Sequence, residues 1–204
     1  MKKLLLTTIV ISTLIFARTQ TRHDLVEVRA VNPDIVFEIL YATPNNFTGK
    51  TVYDSPRCFL RKKTAQKINA VQKELEKMGL GLKIWDGYRP RSVQYIFWDL
   101  TPDRRYVADP SKGSKHNSGA AVDCTLIDLE TGQELEMPSE FDDLSERAHR
   151  DYNKMSSEAA KNCKLLELIM AKHGFVGLPT EWWHFDDTDW KQYDLLDIPI
   201  SQIN

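Results

Sequence analysis

Apolar positions past residue 34 fall into alternating blocks of period two and of helical period. Residues 18–34 read as an irregular lead-in. Residues 35–41 put Ile35, Phe37 and Ile39 on one face, as a strand does. In residues 64–78, Ile68, Val71, Leu75 and Met78 recur at helical spacing, and Gly79 supplies a stop. A strand over 80–85 leads into a turn at 86–90. Pro90 then suits the first turn of a helix with Val93, Ile96, Phe97 and Leu100 as its buried face. Residues 121–127 form the next strand, and Thr131-Gly132 a hairpin turn. Ser156 or Ser157 caps a helix running to about His173, with Ala159, Cys163, Leu166, Ile169 and Met170 as its core stripe and Gly174 as its end. Strands over 175–178 and 182–186 close the pattern. The order predicts an α+β fold with a central antiparallel sheet and helices packed mainly on one side.

The length of 204 residues is enough for one domain with a sizeable core. A 42% hydrophobic and 27% charged composition is that of an ordinary globular chain, and a formal net charge of −2 gives no nucleic-acid surface. Nothing in the pattern implies a protein partner. The first residues read differently. Lys2 and Lys3 precede an apolar run from 4 to 16, too short for a comfortable transmembrane span, and Ala17 can sit before a cut. Residues 1–17 therefore read as a signal peptide and 18–204 as one domain. The mature chain is expected to be exported, periplasmic or secreted, with no stable membrane insertion. Cys58, Cys124 and Cys163 are read as small buried apolar side chains.

The chemistry concentrates in two clusters. Residues 114–123 read Ser-Lys-His-Asn-Ser-Gly-Ala-Ala-Val-Asp, and residues 181–184 read Glu-Trp-Trp-His. His116 and Asp123 are too far apart for one helical face, so Gly119 implies a turn that delivers Asp123 to a strand. Asp123 then faces one side of the sheet and Cys124 the core. Two imidazoles, an aspartate and a free glutamate match a catalytic zinc site: three protein ligands (His116, Asp123, His184), one open position and a carboxylate, Glu181, beside it. On an ideal strand Glu181 and His184 face opposite ways, so both reach one zinc only if Glu181 lies in the turn after Pro179 or a bulge intervenes; the turn is expected. Trp182 and Trp183 read as pocket wall and core, and His173 as a helix C-terminal residue. No role follows for His149 or His23. The polar stretch 101–113, with Pro102, Pro110 and Gly113, reads as a rim or lid.

These residues resemble the D-alanyl-D-alanine dipeptidases, zinc enzymes related to the D,D-carboxypeptidases and the hedgehog signalling domain. Ser-x-His-x-x-Gly-x-Ala-x-Asp and Glu-x-x-His carry the likeness, joined by Tyr41-Ala42-Thr43, residues 46–50, residues 85–90 and Phe141-Asp142. The resemblance spans roughly residues 34–190. It implies one Zn²⁺ per chain, a small dipeptide substrate such as D-alanyl-D-alanine, and Glu181 as general base. It further implies Arg89 as the stabiliser of the oxyanion, Asp142 as the holder of the substrate's free amine, and Ser114 and Tyr41 as pocket residues. Each has a plainer alternative: a surface salt bridge for Arg89, a solvated acidic loop for Asp142, a turn or cap serine for Ser114, a packed strand tyrosine for Tyr41. Asp86 can orient Arg89 or the turn. Two other functions stay open: a zinc carboxypeptidase trimming longer peptidoglycan stems, and a zinc-stabilised cell-wall binding domain without turnover. Zinc binding alone would need neither Glu181 nor Arg89.

Overall fold

The computed structural model describes residues 23–101 and 103–204. The expected signal peptide at 1–17 lies outside them. In chain order the strands and helices are β1 (Leu25–Glu27), α1 (Val28–Val31), β2 (Val36–Phe37), β3 (Phe59–Arg61), α2 (Lys62–Glu76), β4 (Leu80–Asp86) and α3 (Arg91–Leu100). They are followed by β5 (Ala121–Asp128), α4 (Ser157–Lys172), β6 (Phe175–Gly177) and β7 (His184–Asp187). Among the described residues no helix is long and apolar enough to cross a membrane.

The expected α+β architecture is present. Five strands form one sheet in the order β2-β4-β5-β7-β6, and β1 pairs with β3 in a separate ribbon. The β4–β5, β5–β7 and β7–β6 pairings are antiparallel, whereas edge strand β2 runs parallel to β4, which makes the sheet mixed. Helix α2 packs on β4, and α4 on β5 and β6; the two helices also touch each other, so they share a face of the sheet. Their stripes supply Ile68, Val71, Leu75, Ala159, Leu166, Ile169 and Met170 to the core. Each large apolar side chain fully buried this way contributes roughly 1.5–3 kcal/mol. Ser156 caps α4 by accepting from the Ala159 amide at 3.0 Å, as the sequence predicts.

Four local expectations are corrected. The lead-in before residue 34 holds β1 and α1, because Leu25 and Val28 are buried and β1 finds a partner in β3. The strand expected over 35–41 is only two residues long, and Tyr41 lies in a 3₁₀ turn, Leu40–Ala42. On α3 the buried positions are Val93, Gln94 and Phe97, while Ile96 and Leu100 are exposed, because the polar Gln94 takes a buried position beside Arg89. Met78 lies beyond the end of α2 and is exposed.

Candidate metal centre and its pocket

Strands β5 and β7 lie side by side with Asp123 opposite His184. The third residue, His116, comes from the 3₁₀ turn Lys115–Ser118 just before β5. Its geometry is local. Asn117 Oδ1 accepts from the Ser114 amide at 2.7 Å, Ser114 Oγ accepts weakly from the His116 amide at 3.3 Å, and Gly119 ends the turn at φ 74°, a conformation that favours glycine. The turn is fastened to the 86–90 segment, since the Arg89 amide donates to the His116 carbonyl and Asn117 Nδ2 donates to the Arg89 carbonyl.

Three donor atoms converge. His116 Nε2 lies 3.1 Å from His184 Nδ1 and 3.3 Å from Asp123 Oδ1, and the last two are 3.0 Å apart. The outer ring nitrogens fix the tautomers. His116 Nδ1 is 2.7 Å from the Gly87 carbonyl and His184 Nε2 is 2.9 Å from Asp186 Oδ1, so each carries the proton it donates outward. Two imidazole lone pairs and a carboxylate oxygen then face one point, an arrangement that repels itself unless a cation or a proton lies between them. A tetrahedral ion with ~2.0–2.1 Å bonds separates its ligand atoms by roughly 3.3 Å, close to the spacing found. All three residues are buried, and the donor set fits a zinc-type ion.

Glu181 lies in the turn between β6 and β7, the expected one of the two solutions to the strand parity, and its Oε2 is 3.9 Å from His184 Nδ1. Burial pushes its carboxyl up to about 7, against the pull of His184. Trp182 and Trp183 are both buried, and Trp183 also lines the pocket.

Arg89 is buried rather than on the surface. Its Nη2 and Nε donate to Asp86 Oδ2 at 2.7 and 3.2 Å, its Nη1 donates to Gln94 Oε1 at 2.9 Å, and its Cζ stands 4.5 Å from the Phe97 ring centre. Asp86 in turn accepts from the Tyr53 hydroxyl at 2.7 Å. Asp142 is half-buried and lines the pocket, not a fully solvated loop residue. The Tyr41 hydroxyl is 3.0 Å from both of its oxygens. Burial and the charges of Asp123 and Glu181 hold the Asp142 carboxyl well above the usual carboxylate range, with Tyr41 opposing them. Asp142 adopts φ 61°, an unusual conformation for a side-chain-bearing residue of the kind that clusters at functional sites.

One cavity of about 190 Å³ is lined by Tyr41, Arg89, Ser114, His116, Asp123, Asp142, Glu181 and His184. It thus gathers all eight residues singled out from the sequence. The 103–113 segment forms part of its wall through Arg104, Arg105, Tyr106, Val107, Ala108 and Gly113. The Tyr106 hydroxyl lies 3.1 Å from His149 Nε2, which gives that histidine a place at the rim. Sequence reasoning missed Asp186, Tyr53 and Gln94. Asp186 was findable, because it stands two residues from His184 on one strand and so shares its face. Tyr53 and Gln94 reach Arg89 from distant segments and leave no local signal.

Comparison with known proteins adds a family match. The profile described as "D-ala-D-ala dipeptidase" matches residues 21–201. The D-alanyl-D-alanine dipeptidase of Escherichia coli (strain K12) is 40% identical over 176 residues, covering 85% of this chain and 89% of that one. That of Enterococcus faecium is 34% identical over 165 residues, covering 71% and 82%. That of Streptomyces coelicolor is 34% identical over 191 residues, covering 82% and 93%.

Proposed function

This chain belongs to the D-Ala-D-Ala dipeptidase family, and on that premise we propose that it hydrolyses D-alanyl-D-alanine, or a closely similar cell-wall dipeptide, to free amino acids with one zinc ion per chain. The observation that carries this reading is a single small cavity holding the three converging donors, Glu181 and Asp142.

His116, Asp123 and His184 hold the zinc. Bound there, zinc supplies Lewis acidity, which polarises a carbonyl and acidifies water. Glu181, with its raised pKa, takes the proton of the attacking water and returns it to the leaving amine. Arg89 donates to the oxygen that gains charge as the carbonyl carbon becomes tetrahedral. Asp86, Gln94 and Tyr53 keep the guanidinium in place, so it need not reorganise during the reaction. Asp142, set by Tyr41, receives the substrate's ammonium group. Ser114 lines the pocket while capping the His116 turn, and its hydroxyl can meet the substrate backbone.

A half-buried carboxylate in a cavity this small favours a dipeptide with a free amino terminus over a longer stem peptide. We further propose that residues 1–17 direct export, which suits turnover or scavenging of dipeptide released from the wall. Fractionation tests this part, and active protein confined to the cytoplasm would sink it.

The deciding experiment is alanine release from D-alanyl-D-alanine by the mature protein, with zinc and after chelation, beside Glu181→Ala. Zinc-dependent release that the variant lacks is the expected result. Zinc bound without release from dipeptides or stem peptides would favour a binding module.

A further inference from the structure

Glu181 stands in a turn, and the turn's own bonds are long. The Glu181 amide reaches the Leu178 carbonyl at 3.3 Å, and the His184 amide reaches the Glu181 carbonyl at 3.4 Å. Such contacts are at the weak end of hydrogen-bond geometry. The shorter bonds come from residues 148–150. The Trp182 amide donates to the Ala148 carbonyl at 2.9 Å and the Arg150 amide donates to the Pro179 carbonyl at 3.0 Å. The Arg150 guanidinium then straddles the turn: Nε donates to the Leu178 carbonyl and Nη2 to the His184 carbonyl, both at 2.9 Å. These two carbonyls are three residues to either side of Glu181.

The guanidinium is fixed on other sides as well. Its Cζ lies 4.5 Å from the Phe185 ring centre. Gly177 leaves the space it occupies, because a Cβ there would come within 2.2 Å of the same Cζ. Among the described residues no carboxylate forms an ion pair with Arg150, so its charge is directed at backbone carbonyls. Its planar fork suits two acceptors at fixed separation, which an ammonium would not reproduce.

We infer that Arg150 is a positioning residue for Glu181: it spans the carbonyls of Leu178 and His184 and so sets where the carboxylate stands in the cavity. The inference rests on Glu181 being the base proposed above. Displacing a catalytic group by about 1 Å can cost on the order of 100-fold in rate. Arg150 lies behind the turn and does not line the cavity, so its loss should spare substrate binding.

The test uses steady-state kinetics on D-alanyl-D-alanine with zinc-loaded wild type, Arg150→Ala, Arg150→Lys and Gly177→Ala, well below each protein's Tm. Gly177→Ala keeps the charge but pushes the guanidinium aside. Expected are kcat values lowered by roughly 10- to 100-fold in all three variants, with KM and zinc content near wild type, and partial recovery of Arg150→Ala by added guanidinium. In a Glu181→Gln background, whose residual rate can be measured, Arg150→Ala should cost little more, because the base it positions is gone. A merely structural role would lower Tm but leave kcat per folded molecule unchanged, or would slow the Glu181→Gln background by the same factor; either result overturns the inference. Wild type that turns over dipeptide beside unaffected Arg150 variants defeats this inference alone. Zinc-loaded wild type that releases no alanine from any peptide defeats the proposed function together with it.

Discussion

Asp123 sits opposite His184 across β5 and β7, and its Oδ1 lies 3.0 Å from His184 Nδ1. Only a cation or a proton can make that gap favourable. Without metal the proton takes the place. Burial works against it, but hydrogen bonds to Asp123 and Asp186 outweigh burial and push His184 up to about 10. A histidine raised above its unfolded value of about 6.5 adds stability that is fully present below that value and is lost as pH rises through the folded one. Metal-free protein should therefore show a falling urea midpoint between about pH 6.5 and 10. Zinc competes with the proton, so its affinity should rise with pH and its presence should flatten the stability profile. A metal-free midpoint that climbs over this window would refute the assignment.

As the proposed base, Glu181 must be ionised to accept a proton. Burial places its carboxyl up to about 7, and a divalent ion beside it pulls it lower. The kcat/KM profile should therefore rise with pH along an acid limb centred at or below about 7. Glu181→Gln, nearly the same shape without the base, should lose on the order of 10²–10⁴ in kcat and retain its zinc. Metal content measured beside the rate separates this from damage to the His184 ligand three residues away.

How much of this was legible without coordinates follows from where each signal lives. The helices over α2 and α4 were readable because their stripes are local and their ends are marked by Gly79, Ser156 and Gly174. Strand parity narrowed Glu181 to a turn or a bulge once it shared a site with His184, and the turn is what forms. The parallel edge strand β2 did not, because two residues pairing with β4 leave no pattern of their own. The buried face of α3 was misjudged by hydrophobicity, since Gln94 is buried to meet Arg89, a polar requirement set elsewhere in the fold. The full support of Arg89, and the hold of Arg150 on the Glu181 turn, join residues far apart in sequence and appear only when the chain is folded.

Arg89 and Asp86 form a buried ion pair at 2.7 Å, and each depends on the other. Removing one partner leaves a buried charge, which costs about 3–5 kcal/mol. Asp86→Asn and Arg89→Met should each lower the urea midpoint by a corresponding amount. The double variant Asp86→Leu, Arg89→Met leaves no charge unpaired and should regain part of the loss. Activity should not return with it if Arg89 is the oxyanion donor proposed above, because losing such a donor costs roughly 10²–10³ in kcat. Recovery of both stability and rate in the double variant would remove Arg89 from the chemistry.

In the proposed function Asp142 is the group that reads the substrate's free amino terminus. Asparagine is the informative replacement, because it tolerates the left-handed backbone that Asp142 adopts at φ 61° and changes only the charge. Wild type should favour D-alanyl-D-alanine over its N-acetyl derivative, and Asp142→Asn should lose most of that preference. A hydrogen bond to a charged group is worth about 1.5–3 kcal/mol, so the dipeptide's kcat/KM should fall about 10- to 100-fold. Tyr41→Phe removes the hydroxyl that meets both Asp142 oxygens and should give a smaller loss in the same direction. Because the Asp142 carboxyl is held above the usual range, the free pocket keeps its proton to higher pH than an exposed aspartate would. The incoming ammonium needs the ionised form, so binding should release a proton and KM should fall as pH rises through that titration. Proton uptake on binding, or equal discrimination against the N-acetyl substrate by wild type and Asp142→Asn, would show that the amine is recognised elsewhere.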